Sequence, residues 1–278
     1  MQRGAIFVTG ANSGIGLATA DRLTGLGFTV FRGVRRPDEL PETVKNAVAI
    51  DLSDEGSIER ACREVTDLSE GRLVGLVNNA GYTVAGPCEA LEVADWRAQF
   101  EVNFFGHLAV TKALLPQLIA TRGRVVNVGS VGGRFSAPFM GPYSASKFAV
   151  HAWSDAMRGE LAPHGVRVAL VEPGSIATPL WGKGQAAADD QLERLTPEQQ
   201  QRYADQIVGA RKAATMAEQR GIPAERCARV IEHALTAPRP RARYLVGPDA
   251  RVQTVLSLLP ARVSDGVTRR LLGQPRRS

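Results

Sequence analysis

The sequence predicts an α/β fold, namely a doubly wound parallel sheet of about seven strands with helices on both faces. Short apolar, β-rich runs recur along the chain, and most are followed by a longer amphipathic segment. The runs are continuously apolar instead of alternating, which is typical of strands covered on both faces. The alternation of strand and helix favours parallel strands joined by helical crossovers. With 278 residues, of which 44% are hydrophobic, the chain can bury the core of one such domain.

The predicted elements follow one another in a regular order. Each short apolar run is predicted as a strand, and each longer amphipathic stretch between two runs is predicted as a helix. The strands lie at residues 6–9, 28–31, 48–50, 73–77, 124–128, 166–171 and 244–246. The helices span about 14–26, 54–67, 92–120, 142–162 and 223–236. The whole chain, residues 1–278, is therefore expected to form a single domain.

Two segments stand apart from this alternation. Residues 175–221 follow a Pro-Gly pair at the end of the sixth strand and become polar and helical. Such a long excursion after the carboxyl end of a strand predicts a lid over a ligand crevice. A surface excursion with no binding role is the alternative. Residues from about 248 to 278 form a basic extension.

The net charge of +6 is confined to the end of the chain. Residues 241–278 contain eight arginines and two aspartates, so that residues 1–240 are electrically balanced. A groove for DNA would more often combine basic residues with aromatic ones, and this stretch contains only Tyr244. A solvated or anion-tolerant tail is therefore expected, with a nucleic-acid partner as the alternative.

Cysteine and histidine usage argues against a metal site. The three cysteines, Cys62, Cys88 and Cys227, lie far apart, and the four histidines lack the spacing of metal ligands. This pattern is expected in a reducing cytoplasm. No run approaches 18 apolar residues, and the first strand begins too early for a signal peptide, so a soluble cytoplasmic protein is predicted.

A glycine-rich turn joins the first strand to the first helix. It reads Thr9-Gly10-Ala11-Asn12-Ser13-Gly14-Ile15-Gly16. Glycines at such a turn let backbone N–H groups approach a pyrophosphate, and the helix N-terminus adds its dipole. The turn therefore predicts a dinucleotide site, and three residues, instead of the more common one, separate its first two glycines.

A serine, a tyrosine and a lysine form a candidate catalytic group. Tyr143 and Lys147 are four residues apart and share one helix face, while Ser130 ends the fifth strand. A neighbouring ammonium favours phenolate and is expected to lower the tyrosine pKa from its usual value of about 10. Ser130 would hydrogen-bond a substrate oxygen and hold it for Tyr143. A surface tyrosine and lysine on an amphipathic helix is the alternative.

These motifs together resemble the short-chain dehydrogenase/reductase family over about residues 3–250. Asn78-Asn79-Ala80-Gly81 follows the fourth strand, Asn103 lies in the next helix, and Pro173-Gly174 follows the sixth strand, all in the family's order. The resemblance implies a Rossmann-type fold and an oxidoreductase that interconverts a carbonyl and an alcohol by hydride transfer. It implies a catalytic set of Asn103, Ser130, Tyr143 and Lys147, in which Asn103 positions a water in the proton relay.

The resemblance also implies which residues contact the dinucleotide. They lie in the glycine turn, after the second, third and fourth strands, on the catalytic helix and after the sixth strand. The set is Gly10, Asn12, Ser13, Gly14, Ile15, Gly16, Arg35, Asp51, Leu52, Asn79, Ala80, Gly81, Tyr143, Lys147, Pro173, Gly174, Ile176 and Thr178. For Asp51, an ordinary turn residue is the alternative.

The residues expected around the substrate are apolar. Phe139 and its neighbours after Ser130, together with Leu180 and Trp181 of the lid, predict a lipophilic alcohol or ketone. Ser130, Phe139, Tyr143 and Trp181 are the predicted substrate contacts, although the aromatics would also serve to pack the lid. The chain resembles most the steroid- and retinol-dehydrogenase-like branch, and the resemblance implies a homodimer or homotetramer.

The end of the second strand predicts the dinucleotide preference. An NAD site normally places Asp or Glu there, whereas this chain has Val34 followed by Arg35. A guanidinium suits a 2′-phosphate, so NADP(H) is predicted, with NAD(H) use or a surface role for Arg35 as alternatives. A redox-inactive dinucleotide sensor on the same fold is a further alternative, although it would not need the complete catalytic set.

Overall fold

A computed structural model describes residues 4–271 as a seven-stranded parallel sheet. The strands are β1 (Ala5–Thr9), β2 (Thr29–Val34), β3 (Ala47–Ala49), β4 (Leu73–Asn78), β5 (Arg124–Val128), β6 (Arg167–Pro173) and β7 (Arg243–Val246). Their spatial order is β3-β2-β1-β4-β5-β6-β7, and each neighbouring pair is parallel. The order reverses beside β1, which confirms the predicted doubly wound, Rossmann-type sheet.

Ten α-helices connect or follow these strands in the described residues. They are α1 (Gly14–Gly25), α2 (Glu55–Ser69), α3 (Val93–Phe100), α4 (Gly106–Ala120), α5 (Gly141–Leu161), α6 (Leu180–Glu193), α7 (Pro197–Gln219), α8 (Ala224–Thr236), α9 (Pro248–Leu256) and α10 (Ala261–Leu271). The helix predicted over 92–120 is interrupted by a π-helical turn, Glu101–Phe105, between α3 and α4.

Strand β2 extends further than its apolar run indicated. The run was expected to end at Phe31 because Arg32 and Gly33 interrupt it, but the strand continues to Val34. Arg32 is tolerated inside the sheet because its guanidinium donates to Asp21 Oδ1 at 2.7 Å, where the charge is compensated. Because the Asp21–Arg32 contact forms only in the folded protein, strand β2 continues to Val34, the residue before Arg35.

Two apolar layers cover the sheet, one on each face. Successive residues of β1 point to opposite faces, so Phe7 lies in one layer and Ile6 in the other. Leu114 of α4 packs in the first layer and Ile231 of α8 in the second, and all four of these side chains are fully buried. Each contributes about 1.5–3 kcal/mol of burial free energy, and both faces are covered as predicted.

A chain of buried polar side chains fixes the helices to the carboxyl ends of the central strands. Asn78 Nδ2 donates to Thr111 Oγ1 at 2.9 Å and to Asn127 Oδ1 at 2.8 Å. Asn127 Nδ2 in turn donates to Ser154 Oγ at 2.8 Å. Because α4 supplies Thr111 and α5 supplies Ser154, these bonds set how both helices lie on β4 and β5.

The predicted excursion at 175–221 consists of α6 and α7, which pack on each other. Ile176–Ala177 pairs in parallel with Ile222–Pro223 and closes the base of the excursion. The basic extension, expected as a solvated tail, is helical over α9 and α10. Its Arg276 and Arg277 lie outside the described residues. Across residues 4–271, no helix is both long enough and apolar enough to cross a membrane.

Candidate active site

The glycine turn after β1 packs closely against the segment that follows β4. Gly10 has φ of +67°, and a Cβ added there would lie 2.8 Å from Ala80 Cα. A Cβ on Gly16 would lie 2.2 Å from the Gly10 carbonyl oxygen, so neither position admits a larger residue. Ser13 precedes α1 without capping it through its side chain, which leaves the first N–H groups of the helix available to an anion.

Asn79 ties the segment after β4 to this turn. Its Nδ2 donates to the Thr9 carbonyl oxygen at 2.8 Å. Thr9 Oγ1 accepts from the backbone N–H groups of Asn79 and Ala80, at 3.0 and 3.1 Å. The predicted residues Asn79, Ala80 and Gly81 therefore form one wall of the crevice whose floor is the glycine turn.

The segment after β6 forms the opposite wall. Gly14 lies against Thr178, since a Cβ added to Gly14 would be 3.0 Å from Thr178 Cγ2. Gly174 directly follows Pro173, and its N–H donates to the Val246 carbonyl oxygen at 2.9 Å. Ile176 is buried at the base of the excursion. These contacts bring two distant parts of the predicted dinucleotide set together.

Asp51 and Leu52 occupy different environments. Asp51 Oδ1 accepts from the Ser53 N–H at 2.9 Å and from Ser53 Oγ at 2.6 Å. These bonds hold the pKa of Asp51 below its ordinary value, and the nearby Arg35 acts in the same direction. Leu52 has its side chain in the core, 5% exposed, so its side chain packs against other apolar residues.

The structure brings Ser130, Tyr143 and Lys147 together beneath the crevice. Ser130 follows β5, and its Oγ accepts from the Gly132 N–H at 3.0 Å. Tyr143 stands in the first turn of α5, and its ring and Ser130 Oγ each lie 3.3 Å from a Cβ added to Gly132. Lys147 Nζ donates to the Val128 carbonyl oxygen at 3.0 Å and lies 5.9 Å from the centroid of the Tyr143 ring.

The expected net lowering of the Tyr143 pKa is wrong for this arrangement, because the pKa is raised. Burial raises the pKa of the Tyr143 phenol, and the nearby Ser130 hydroxyl only opposes that rise. Burial also lowers the pKa of Lys147 to about 8. Desolvation disfavours the charged form of both groups. The pair is therefore a neutral phenol beside an amine that readily changes its protonation state.

Asn103 lies in the π-helical turn and is fully buried. Its Oδ1 accepts from the Tyr82 N–H, and its Nδ2 donates to the Tyr82 carbonyl oxygen, both at 3.1 Å. Nδ2 also lies 3.3 Å from Ser146 Oγ, one residue before Lys147. The extra backbone residue of a π turn directs a side chain that a regular helix would place elsewhere. The predicted water-positioning role of Asn103 stays a prediction.

Sequence reasoning missed a buried ion cluster behind Ser130. Glu172 of β6 is fully buried and accepts two hydrogen bonds from Arg134, one of them at 2.9 Å. Arg243 NH1 lies 3.4 Å from Glu172 Oε1, and His151 Nδ1 lies 3.9 Å from Oε2. The signal in the sequence was a carboxylate inside an otherwise apolar strand, because such a group needs cationic partners when buried.

His151 connects this cluster to the catalytic turn. A Cβ added to Gly133 would lie 2.5 Å from His151 Nε2, so the ring fills the space under the Val131–Gly133 turn. Burial lowers the pKa of His151 to about 4, which keeps the ring neutral. The turn that follows Ser130 therefore packs against the His151 ring and is not exposed to solvent on that side.

Phe139 and Trp181, the predicted substrate contacts outside the catalytic group, both take part in packing the lid. The Phe139 ring meets Tyr203 of α7 edge to face, with centroids 6.1 Å apart. Trp181 Nε1 donates to the Ile176 carbonyl oxygen at 2.8 Å. Between α3 and α6, Tyr82, Asp95, Gln191 and others line a cavity of about 260 Å³. Substrate contact by the two aromatics stays a prediction.

A glycine turn at the reversal point of a doubly wound sheet, beside a serine–tyrosine–lysine group, defines an oxidoreductase that uses a nicotinamide dinucleotide. Residues 4–189 match the family model described as short chain dehydrogenase. The chain therefore belongs to the short-chain dehydrogenase/reductase family, as the motifs indicated.

Two relatives illustrate the similarity in sequence. Retinol dehydrogenase 5 of Mus musculus is 36% identical over 289 residues, covering 98% of this chain and 90% of that protein. The NADPH-dependent 3-dehydrocapnine reductase of Ornithobacterium rhinotracheale is 34% identical over 274 residues, covering 94% of each. The similarity thus spans nearly the full length of these proteins.

Solved structures share the fold over a comparable length. A short-chain dehydrogenase from Streptomyces avermitilis is 31% identical with a TM-score of 0.75, covering 98% of this chain and 96% of that one. One from Burkholderia cenocepacia, in complex with NADP, is 27% identical with a TM-score of 0.72 and 97% coverage of both. One from Burkholderia phymatum, in complex with NAD, is 23% identical with a TM-score of 0.77, covering 99% and 96%.

Proposed function

We propose that the protein interconverts a carbonyl and an alcohol on a lipophilic substrate by hydride transfer with NADP(H). The observation that carries this proposal is the grouping of Ser130, Tyr143 and Lys147. The Ser130 hydroxyl and the Tyr143 ring lie on the same side of Gly132, each 3.3 Å from a Cβ added there, and a buried amine lies beside the ring. These groups are suited to binding a carbonyl oxygen and exchanging one proton with it.

The residues present fit a nicotinamide dinucleotide. The turn at Gly10 and Gly16 has no room for a Cβ, and the N–H groups that begin α1 face a crevice walled by Asn79 and Thr178. The dinucleotide, when bound, supplies or accepts the hydride. The chain binds its pyrophosphate at the start of α1 and its ribose near Lys147 in this proposal.

Each catalytic side chain has one task in the proposed reaction. Ser130 Oγ and the Tyr143 hydroxyl both hydrogen-bond the substrate oxygen and orient it. Tyr143 gives its proton to that oxygen during reduction and takes it back during oxidation. Lys147, with its pKa near 8, supplies positive charge that stabilises the phenolate left behind. Preorganised donors of this kind are worth about 3–4 kcal/mol each in transition-state stabilisation.

Arg35 supports a preference for NADP(H). It is exposed at the end of β2, directly after Val34, where an NAD site would normally carry a carboxylate. Its charge is felt at Asp51, which lies at the same edge of the sheet. Arg36 is held by Glu39 at 2.5 Å, so Arg35 is the arginine better placed to pair with a 2′-phosphate. The 3-dehydrocapnine reductase named above is NADPH-dependent, which agrees with this assignment.

The lipophilic substrate class has independent support. Phe139 packs against Tyr203 of the lid, Trp181 belongs to the lid, and both aromatic side chains are half-buried, so they are available to contact an apolar substrate. One relative is named for retinol, which is a lipophilic alcohol. The homodimer that the family resemblance implies is supported by two exposed aromatic side chains. Phe105 of the π-helical turn is 47% exposed and Phe148 of α5 is 44% exposed.

A substrate and cofactor screen tests the proposal. Lipophilic ketones and alcohols are assayed with NADPH or NADH, and kcat/KM is determined for wild type, Arg35→Ala and the neighbouring control Arg36→Ala. We expect a preference for NADPH that falls at least about tenfold in Arg35→Ala, because a charged pair with phosphate is lost, and much less in the control. A wild type that prefers NADH, or one whose preference survives Arg35→Ala, contradicts the cofactor assignment.

A further inference from the structure

The C-terminal helices expose an unusual number of aliphatic side chains. Val252, Val255, Leu258, Leu259 and Val263 are 61%, 61%, 79%, 37% and 49% exposed, and we call this set the C-terminal apolar patch. Single exposed aliphatic residues are ordinary on a protein surface, whereas five within twelve residues of one helix–turn–helix segment are not. Val252 and Val255 are three residues apart in α9 and therefore share one face of it.

Exposed arginines surround this patch. Arg251 precedes Val252 in α9, Arg262 precedes Val263 in α10, and Arg269 and Arg270 follow in the last turn of α10. Asp249 is directed inward, where its Oδ2 accepts from the Ser175 N–H at 2.6 Å, whereas Asp265 of α10 is exposed and is outnumbered by the four arginines. An aliphatic surface bordered by cations is complementary to a surface that is apolar and anionic.

The patch belongs to an element that touches the catalytic loop. Helix α9 packs against β7 and against the Val131–Gly133 turn, which directly follows Ser130. The Asp249–Ser175 hydrogen bond fastens the same helix to the base of the lid. Anything that binds α9 and α10 is therefore held beside the crevice.

We propose that α9 and α10 dock on the surface of an anionic lipid bilayer. The patch enters the boundary between headgroups and acyl chains, and the arginines pair with lipid phosphates. A second copy is the less suitable occupant, because a two-fold contact would bring the same arginines face to face. Single-stranded nucleic acid is less suitable because the patch offers aliphatic instead of aromatic side chains. Docking would let a lipophilic substrate reach the crevice from the bilayer, a consequence that rests on the proposed function.

Vesicle flotation with the full-length protein tests the docking itself. We expect binding to vesicles of phosphatidylcholine with about one-third phosphatidylserine, weaker binding to phosphatidylcholine alone, and loss of binding at high salt. The triple variant Val252→Ser, Val255→Ser, Leu258→Ser should bind at least about tenfold more weakly. Arg251→Gln and Arg262→Gln should each cost about fivefold, on anionic vesicles only. The matched control is Val208→Ser, since Val208 is 68% exposed on α7 and lies outside the patch.

Several results would overturn the proposal. They are the absence of flotation with either vesicle, an equal loss in Val208→Ser, and a triple variant that changes the oligomeric state by light scattering while flotation is unchanged. Preferential binding of oligonucleotides over anionic vesicles would assign the arginines to nucleic acid. Flotation does not require turnover, so failure of docking and failure of the proposed reaction are observed separately.

Discussion

The sheet and the helices around Ser130, Tyr143 and Lys147, here called the core, differ from the lid in how their polar side chains are bonded. Those of the core are buried and bonded to one another, whereas those of the lid are more exposed. In the core, Asn78, Asn127 and Asn103 are buried and bonded to other buried groups. Among the described side chains of α6 and α7, none is buried. The ion pair between Arg211 and Asp189 that joins these two helices is exposed on both sides.

This contrast indicates which part of the molecule is rigid. Removing one partner from a buried polar pair leaves the other unsatisfied and is costly, so the core has one preferred arrangement. Exposed ion pairs contribute little, so the lid is held mainly by its base, by Leu195, which is 5% exposed between α6 and α7, and by the Phe139–Tyr203 contact. In the proposed reaction, Ser130, Tyr143 and Lys147 would be held in one arrangement beside a more adjustable segment.

The largest expected effect is the loss of turnover in the core variant Tyr143→Phe. Tyr143→Phe removes the transferable proton and should lower kcat about 10²- to 10⁴-fold, while the dissociation constant of the dinucleotide changes only slightly. Steady-state kinetics and fluorescence titration of the dinucleotide measure the two quantities. The matched control is Tyr244→Phe, because Tyr244 is also a buried tyrosine but bonds to His233 and the Arg241 N–H. Wild-type kcat in Tyr143→Phe would refute the mechanism.

The buried ion cluster should be the next most sensitive point. Glu172→Ala leaves Arg134 and Arg243 without their shared carboxylate and should lower the free energy of unfolding by about 3–5 kcal/mol. Asp189→Ala breaks the exposed pair of the lid and should cost about 1 kcal/mol or less. Urea unfolding of both variants measures the difference. Equal losses of unfolding free energy in the two variants would mean that buried polar contacts do not hold the core more strongly than exposed ones hold the lid.

Acid pH should lower the free energy of unfolding through the buried His107. Burial lowers the pKa of His107 to about 4, against an ordinary value of 6.5. Above pH 6.5 the ring is neutral in the folded and in the unfolded state, so His107 does not lower the free energy of unfolding there. As the pH falls from 6.5 to 4, the unfolded chain gains a proton that the folded chain does not, which costs about 3 kcal/mol in total.

His107→Gln tests this pH dependence. Glutamine keeps a donor for the Ala80 carbonyl oxygen, which His107 Nε2 meets at 2.8 Å, but it does not titrate. Between pH 7 and pH 4.5 the variant should lose about 2–3 kcal/mol less unfolding free energy than the wild type. The lid, residues 175–221, contains no histidine and contributes nothing to this difference. Identical pH profiles for the two proteins would show that His107 titrates normally in the folded state.

The smallest expected effect is on the lid. Tyr203→Ala removes the edge-to-face contact with Phe139 and should raise KM for bulky lipophilic substrates several-fold. The melting temperature should change little, because Tyr203 is only half-buried. Val208→Ser on the same helix is the control for general loosening. If KM rises equally for small substrates, Tyr203 acts on the stability of the site and not on the lid.

The fold was predictable because its signals are local. Seven strands and four of the five predicted helices were found at their predicted places, and the fifth, 92–120, is divided by the π-helical turn. Continuous apolar runs and amphipathic periods are local signals that persist whatever the neighbours are. Strand ends were less accurate. Strand β2 runs three residues past its predicted end because Asp21, eleven residues away, compensates Arg32.

The candidate site was predictable where one element carries the whole pattern. The glycine turn lies within one strand–helix junction, and Tyr143 and Lys147 lie one turn apart on α5. The cluster around Glu172 could not be assembled from the sequence, because Arg134, His151 and Arg243 come from three different elements. The helices of the basic extension were missed because their charge was taken as a sign of a solvated tail.

The parallel sheet, the glycine turn and the one-turn spacing of Tyr143 and Lys147 follow from the amino-acid sequence, because each depends on residues that are neighbours along the chain. The electrostatic state of Tyr143 and Lys147 follows only from how the chain packs around them. Burial raises the pKa of Tyr143 and lowers that of Lys147, although their spacing alone indicated a lowered phenol pKa. Burial is produced by every element that packs around a group, and desolvation depends on that whole environment, so it cannot be derived from the spacing of two residues on one helix.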